Sequence, residues 1–292
     1  CIRDSMVFDA DNLLSEDYIS RMNETFSDGY RIITSYRNSK NYGDNWISAG
    51  YALWFLREAK YLNNARYLLG TSCAVSGTGF MFSREILKSC GGWPFHLLVE
   101  DIEFTIHNVV SGEKVGYCPR AVLYDEQPTR FSQSWKQRMR WARGYIQILR
   151  KYGGRLLHGI FEKRSFSCFD MTMNIAPAVI LSFLGIIINV GAAVYIVLNG
   201  GGTDVLLQSF GQLILNTCLM MFLIGAITTI SEWKNIYCST PKKILYAFTF
   251  PLFMLTYLPI CIVALFHPVK WEPIVHDRVR TLSEVRGEGN AA

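Results

Sequence analysis

The sequence predicts an α/β head followed by an α-helical membrane region. Two observations support this fold class. Strand-like and helix-like segments alternate over the first 165 or so residues, which is typical of layered α/β domains. Three long apolar runs without Asp, Glu, Lys or Arg then follow one another, and each reaches the roughly 20 residues needed to cross a bilayer. The hydrophobic content of 50% over 292 residues fits a membrane protein with a polar head.

The head is expected to contain four strands with helices between them. The strands are predicted in SMVFDADN (5–12), YRIITSYR (30–37), SCAVSGTGFMF (72–82) and VGYCPRAVLYDE (115–126). Helices are predicted over 46–69, over a short segment that stops at Gly91 and Gly92, and from about 101 to 110. Ligands of such sheets bind beyond the carboxyl ends of the strands.

The apolar runs cover 171–199, 205–231 and 244–266. They divide the chain into a head (1–165), a membrane region with two or three spans (166–267) and a cytoplasmic or interfacial tail (268–292). Pro251 and Pro259 interrupt the third run, so it either spans, re-enters or lies along the interface.

Basic residues predict the orientation. Ten Lys and Arg residues against one acid lie between 130 and 164, directly before the first run. The segment that connects the second and third runs is also basic, whereas the segment that connects the first and second, GGTD, is not. Because Lys and Arg near span ends mark the cytoplasmic side, the head and the second connecting segment are expected inside. The tail is basic too, which conflicts with three complete crossings; its cations are Lys270, Arg278, Arg280 and Arg286.

The cysteines and the first residue of the chain lead to two further predictions, one about redox state and one about the start of the domain. None of the eight cysteines forms a CxxC pair, and no clustered His accompanies them, which argues against a zinc site and favours reduced, cytosolic thiols. The chain begins with Cys1 and has no signal peptide. It is therefore expected to open in mid-domain, with an amino-terminal part missing.

The segment FDADN places Asp9 and Asp11 one residue apart at the end of an apolar strand. Two carboxylates that close raise each other's proton affinity unless a cation lies between them. A metal site is the interpretation that relieves this repulsion. The alternative is a solvated turn in which Asp11 caps the following segment, NLLSEDY.

Two other polar groups accompany the acid pair. LLVED places Glu100 and Asp101 at the start of a helix, where the dipole favours negative charge, although Asp101 alone could be an N-cap. QRMRW places Gln137, Arg140 and Trp141 on one face of a helix in the basic stretch.

Together these motifs resemble a known family. DxD, an ED preceded by GTGF, and QxxRW ahead of membrane spans are similar to the membrane-embedded, processive family 2 glycosyltransferases, which include cellulose, hyaluronan and poly-N-acetylglucosamine synthases. VFDADN, SGTGFMF, YDEQPTRFSQSWKQRMRW and KWEPIVH resemble bacterial, Firmicute-type members. The resemblance implies a GT-A, Rossmann-like cytoplasmic domain, truncated here because the strands that grip uracil and ribose would precede the DxD.

The resemblance also assigns roles. Asp9 and Asp11 would hold Mg²⁺ or Mn²⁺ against the donor diphosphate, and Asp101 would be the general base of an inverting displacement. Gln137 and Arg140 would steady the pyrophosphate. The acceptor would contact Trp141, Glu100, Gly77, Thr78, Gly79 and Phe80. Val99 stands where the family more often has Thr.

The implied function is transfer of a sugar, of glucose or N-acetylglucosamine type, from a UDP-sugar to a glycan or lipid acceptor at the cytoplasmic face of the plasma membrane. Three alternatives stay open: a glycolipid synthase that adds one or two sugars, a metal-dependent phosphotransferase, and a transporter or channel with a regulatory head. The spans lack the ionisable residues common in transport pathways.

Two remaining features are interpreted through the membrane. Nucleic acid is not an expected partner, because orientation and anionic membrane lipid explain the basic run. Gln208, Gln212 and Asn216 share one face of the second span and either join helices or line a polar groove for glycan or lipid headgroup.

Overall fold

A computed structural model describes residues 4–200, 203–269 and 280–287, and a five-stranded sheet forms its centre. The strands are β1 (Asp4–Val7), β2 (Leu13–Leu14), β3 (Ile32–Ser39), β4 (Phe80–Ser83) and β5 (Val115–Asp125). Their order across the sheet is β1-β4-β3-β5-β2. Strands β3 and β5 run parallel and the other neighbours run antiparallel, so the sheet is mixed. The predicted α/β class is confirmed.

The predicted strands over 30–37 and 115–126 are found close to their predicted positions. The first was predicted as a buried strand that ends in the acid pair, but β1 is half-buried and ends at Val7 before the acids. The third is also much shorter than predicted. Of residues 72–82 only the part from Phe80 onward joins a strand. Gly77 and Gly79 have φ of +78° and +69°, a left-handed conformation that interrupts an extended strand and that glycine adopts readily. Strand β2 and the helix that follows it were not predicted.

The head contains seven α-helices within the described residues. They are α1 (Tyr18–Ser27), α2 (Trp46–Arg57), α3 (Asn64–Leu68), α4 (Arg84–Ser89), α5 (Glu100–Val110), α6 (Phe131–Phe161) and α7 (Phe166–Ile175). Helix α2 begins at a capping box, in which the Asn45 side chain accepts from the Ser48 amide and the Ser48 side chain accepts in return. A π-helical turn, Glu58–Asn63, joins α2 to α3. The helix predicted over 46–69 is thus confirmed as one helical segment.

The apolar runs are helical. They form α8 (Pro177–Leu198), α9 (Thr203–Ser231), α10 (Thr240–Leu255) and α11 (Tyr257–Phe266). By length and composition, Leu206–Ser231 and Thr240–Phe266 could each cross a membrane, and α8 contributes a shorter apolar stretch, Ile187–Leu198. The first run begins on the head rather than beyond it, because α7 buries Met171 and Ile175 in the core beside α5 and α6.

The third run lies along the head over its whole length. Helix α10 presses the ring of Phe253 against Gly50 of α2 and places it 5.0 Å from the ring of Tyr51. The helix breaks at Thr256. There the Arg138 guanidinium of α6 donates to the Phe253 carbonyl at 3.1 Å and to the Thr256 hydroxyl at 2.8 Å.

Helix α11 continues the same contact, since Arg143 of α6 donates to the carbonyls at its end, including that of Ala264 at 3.2 Å. The opposite face of α10 and α11 exposes large apolar side chains: Ile244, Leu245, Phe248, Leu252, Leu258, Ile262 and Phe266. This run therefore has one side on the head and one apolar side free of it.

Head and third run share one hydrophobic core. Phe250 and Phe253 of α10 belong to the same buried cluster as Ile32, Leu53 and Phe80 of the head. The last described element, α12 (Leu282–Arg286), also returns to the head, where Val285 is buried. The segment KWEPIVH (270–276) lies outside the described residues. The seven described cysteines are free thiols.

Candidate active site

The acid pair lies in a tight turn that follows β1. The Asn12 amide donates to the Asp9 carbonyl at 3.1 Å and closes the turn. The Asp9 amide donates to the side chains of Asn12 and Thr78, at 3.1 and 3.0 Å, which leaves the Asp9 carboxylate on the exposed side of the turn. The turn is thus held by its backbone and its neighbours, while the acids point to a shared space.

A third acid completes the cluster. Carboxylate oxygens of Asp9, Asp11 and Asp125 lie within 4.8 Å of one another. Asp125 is the last residue of β5 and is only 4% exposed. Asp125 was not among the residues singled out from the sequence, although it too lies at the carboxyl end of a predicted strand, where ligands of such sheets bind.

Arg37 of β3 holds Asp125 in place. Its Nε donates to Asp125 Oδ2 at 3.0 Å, its Nη2 donates to the same oxygen, and its Nη1 donates to the Ser76 carbonyl at 2.9 Å. The guanidinium lies 3.7 Å above the ring of Phe55. Burial disfavours its charge, but the adjacent Asp125 carboxylate outweighs this, and the pKa of Arg37 stays above its ordinary value.

Lys40 holds Asp11 in place, as Arg37 holds Asp125. Its ammonium donates to the Asp11 carbonyl at 2.8 Å, pairs with Glu126 at 3.1 Å and lies 4.0 Å from the Asp11 carboxylate. The Glu126 amide donates to Asp11 Oδ2 at 3.3 Å. Lys40 itself is only 5% exposed.

The charges of this cluster fit a divalent cation. Four carboxylates face the two cations Arg37 and Lys40, so an excess of two negative charges remains. Clustered carboxylate oxygens are the ligands that Mg²⁺ and Mn²⁺ prefer. The residues present therefore fit the predicted metal, with Asp125 added to the predicted pair.

A glycine loop, residues 76–79, links the acid cluster to the predicted base. The Thr78 hydroxyl donates to Asn12 of the acid turn, and the Gly77 amide donates to the Asp101 carboxylate at 2.5 Å. Gly79 is required for close approach, because a Cβ there would lie 2.6 Å from the Ser35 hydroxyl oxygen. The loop thus sets the position of Asp101 relative to Asp9.

Asp101 has the electrostatics of a base. It lies in the first turn of α5 and is partly exposed. Burial and the neighbouring Glu100 charge raise its pKa from 3.8 to about 6, although the Ile102 and Gly77 amides and the Arg140 charge act in the opposite direction. It is mostly ionised at neutral pH and still basic enough to accept a proton.

The predicted QxxRW residues lie on α6 close to the start of α5. Arg140 donates to the Leu98 carbonyl at 2.6 Å, and its charge acts on Asp101. Gln137 Oε1 is buried and has no hydrogen-bond partner in the described part of the chain. The Trp141 ring is half-buried, 5.7 and 6.2 Å from the rings of Tyr51 and Phe55 and edge-on to both.

The remaining predicted contacts differ in exposure. Glu100 is exposed beside Asp101, and Thr78 is buried within the glycine loop. Phe80 is 2% exposed and packs against Phe82 and Phe104 in the core, so its side chain does not line the site.

One buried acid near Asp101 was not singled out from the sequence. Glu103 is fully buried and accepts from the Leu97 amide, the Lys151 ammonium and the Tyr152 hydroxyl, at 3.0, 2.5 and 3.2 Å. It thereby fixes the loop whose Leu98 carbonyl receives Arg140.

The part of the chain that contains this site is similar to known glycosyltransferases. Residues 5–144 match the model of glycosyltransferase-like family 2. The Bacillus subtilis protein named Probable glycosyltransferase YdaM is 35% identical over 78 residues, 27% of this chain and 19% of that protein. A poly-beta-1,6-N-acetyl-D-glucosamine synthase of Staphylococcus epidermidis is 30% identical over 88 residues, 30% of this chain and 21% of the synthase.

A third relative has a lipid in its name. The beta-monoglucosyldiacylglycerol synthase of Synechocystis is 28% identical over 142 residues, 48% of this chain and 29% of the synthase. The matches span between about a fifth and a third of these relatives' lengths. The acid cluster, the glycine loop, Asp101 and the QxxRW residues all lie within 5–144, the part of the chain that matches the family 2 glycosyltransferase model.

Proposed function

We propose that the protein transfers a sugar from a UDP-sugar to a glycan or lipid acceptor with inversion at the anomeric carbon. The observation that carries this proposal is the glycine loop, which binds Asp101 through Gly77 and the acid turn through Thr78. A base and a diphosphate site held by one short loop suit a direct displacement between two substrates.

The residues would act in the following way. Asp9, Asp11 and Asp125 would hold Mg²⁺ or Mn²⁺, which when bound neutralises charge on the departing UDP. Asp101 would take the proton of the acceptor hydroxyl as its oxygen attacks the anomeric carbon. Arg140 and Gln137 would bind the diphosphate, and Trp141 would offer an apolar face to the acceptor sugar.

Location at the cytoplasmic face of the plasma membrane is part of the proposal. Helices α8 and α9 would cross the bilayer, while α10 and α11 would lie along its surface, with the exposed apolar side in lipid and the other side on the head. The basic tail would then remain on the side of the head, which resolves the conflict over its orientation.

The proposal leaves open whether the product is a polymer or a glycolipid. A polymer synthase and a glycolipid synthase both occur among the similar proteins. Membranes that contain the full-length natural protein should be incubated with radiolabelled UDP-glucose or UDP-N-acetylglucosamine, and lipid-soluble and polymeric products should then be separated. We expect label from one of the two donors in a glycan. Label confined to the lipid phase would favour the glycolipid synthase, and transfer from neither donor would contradict the proposal.

A further inference from the structure

The segment that carries both cations of the acid cluster also receives buried polar contacts from the end of the membrane region. This coupling segment, residues 36–44, comprises the end of β3 and the turn after it. On one side Arg37 binds Asp125 and Lys40 binds Asp11 and Glu126. Its Asn41 exchanges two hydrogen bonds with Gln127, and further contacts come from the turn between α9 and α10, from the start of α10 and from the tail.

Glu232 makes the most buried of these contacts. It follows α9 directly and is 2% exposed. Its carboxylate accepts from the Tyr36 hydroxyl at 2.5 Å and from Asn235 at 2.6 Å, and the Lys60 ammonium lies 3.5 Å away. Burial raises the pKa of Tyr36, so this hydroxyl remains a donor at physiological pH.

Further contacts bind the rest of the segment. Asn38 donates to the Asn235 carbonyl at 2.9 Å, and Lys242 donates to the Gly43 carbonyl at 2.6 Å. From the tail, Arg280 donates to the Lys40 carbonyl at 2.8 Å and pairs with Asp44 at 3.0 Å.

The sheet alone does not determine the position of this segment. The pairing of β3 with β5 shifts register between Ser35 and Tyr36, which is where the coupling segment begins. Beyond that irregularity Ser39 pairs with Asp125. Because a shift of this pairing by one residue would turn Arg37 to the other face of the sheet, contacts from outside the ladder, such as that of Glu232 with Tyr36, help to select the register.

We propose that Glu232 is a positioning residue for the metal site. It fixes Tyr36, and through the backbone it fixes Arg37 and Lys40, which orient the acids. The membrane region then shapes the donor site as well as holding the protein at the lipid. This inference rests on the proposed function, because the acid cluster must bind a divalent cation.

The test compares two buried acids in the full-length protein in detergent. Glu232 and Glu103 each interact with one tyrosine hydroxyl and one lysine ammonium, but only Glu232 touches the coupling segment. Mn²⁺ binding is measured by electron paramagnetic resonance without donor, and transfer is measured against Mn²⁺ concentration. For Glu232→Gln we expect about tenfold weaker Mn²⁺ binding, as is usual for residues that support metal ligands, with kcat at saturating Mn²⁺ changed much less. Glu103→Gln should bind Mn²⁺ like the wild type.

The outcomes separate the two proposals. If the wild type does not bind Mn²⁺, the proposed metal-dependent function fails. If the wild type binds Mn²⁺ and Glu232→Gln binds it equally well, the positioning role is wrong. Should Glu232→Gln fold poorly, Tyr36→Phe removes only the hydroxyl from the same contact. It should weaken Mn²⁺ binding in the same direction, and unchanged binding there would also overturn the inference.

Discussion

Asp101 combines a raised pKa with a fixed position, and both bear on catalysis. A general base must be ionised, so kcat/KM should fall about tenfold per unit as the pH drops below its pKa of about 6. Asp101→Asn keeps the shape but cannot accept a proton. Turnover should fall by roughly 10² to 10⁴, while binding of UDP with Mn²⁺ survives. Near-normal turnover in the Asn variant would show that another group is the base.

The same carboxylate should cost stability. Its folded pKa of about 6 exceeds the unfolded value of 3.8, so the folded state binds more protons in that interval and stability falls as pH rises through it. Asp101→Asn should therefore stabilise the protein at pH 7 by about 1–3 kcal/mol, allowing for solvent screening of a partly exposed group. Thermal unfolding in detergent measures this, and the gain should shrink at pH 4.5. An equal gain at both pH values would contradict the raised pKa.

Asp125 allows a direct test of the metal site at a position that the DxD pattern does not include. Asp125→Asn retains the size of the side chain but removes one charge from the cluster, so Mn²⁺ affinity should drop by at least about tenfold. Asp28→Asn, at an exposed position at the end of α1, is the matched control. Equal Mn²⁺ affinity in Asp125→Asn and the wild type would remove Asp125 from the site.

At the scale of elements, the sequence predicted what local patterns encode. The predicted strand over 115–126 and the predicted helix over 46–69 are long enough for their patterns to be recognised, and both are found. Strand β2 has two residues, too few for a period, and α1 follows it without a side-chain cap. The segment before β4 was predicted as a strand because of its sequence, SCAVSGTGFMF. In the structure, Gly77 and Gly79 adopt left-handed conformations, and the segment forms a loop.

The site was predictable to the extent that its residues lie in contiguous motifs. Asp9, Asp11 and Asp101 stand next to recognisable neighbours in the chain. Arg37 and Lys40 do not, because their relation to the acids arises from the pairing of β3 with β5 after a register shift. Spacing along a sequence does not contain that information.

The position of the third run predicts on which side of the membrane the tail lies. If α10 and α11 lie on the bilayer surface, a thiol in the tail should face the same side as the head. Ser283→Cys, in a background without other exposed thiols, should react with a membrane-impermeant maleimide only from the cytoplasmic side. Asn199→Cys, at the end of α8, should react only from the opposite side. Labelling of both only from the side opposite the head would mean that α10 and α11 cross completely, and labelling of both only from the cytoplasmic side would mean that α8 does not cross.

At the scale of the whole molecule, the shared core means that the head should not fold stably without α10. Phe250 and Phe253 are nearly inaccessible inside a cluster that also holds the centre of the head. Each would lose about 1.5–3 kcal/mol of burial free energy if α10 were removed, and the head residues beneath would face water. A head ended at residue 175 should therefore aggregate, whereas a chain in which a protease site is placed in the α8–α9 joint should remain folded after cleavage. Size-exclusion chromatography distinguishes the two, and a monodisperse, folded head fragment would contradict the shared core.

The position of Phe253 in the chain also dictates an order of events during synthesis. The aromatic side chain of Tyr51 in α2, which contacts Phe253, leaves the ribosome about two hundred residues earlier, and at 5–20 residues per second this interval lasts about 10–40 s. During that time the nascent head has a sheet and helices but an open apolar flank, while α8 and α9 are still being translated. Completion of the head must therefore wait for translation of the segment after α9, and chaperone occupancy of the nascent chain should persist until that segment emerges.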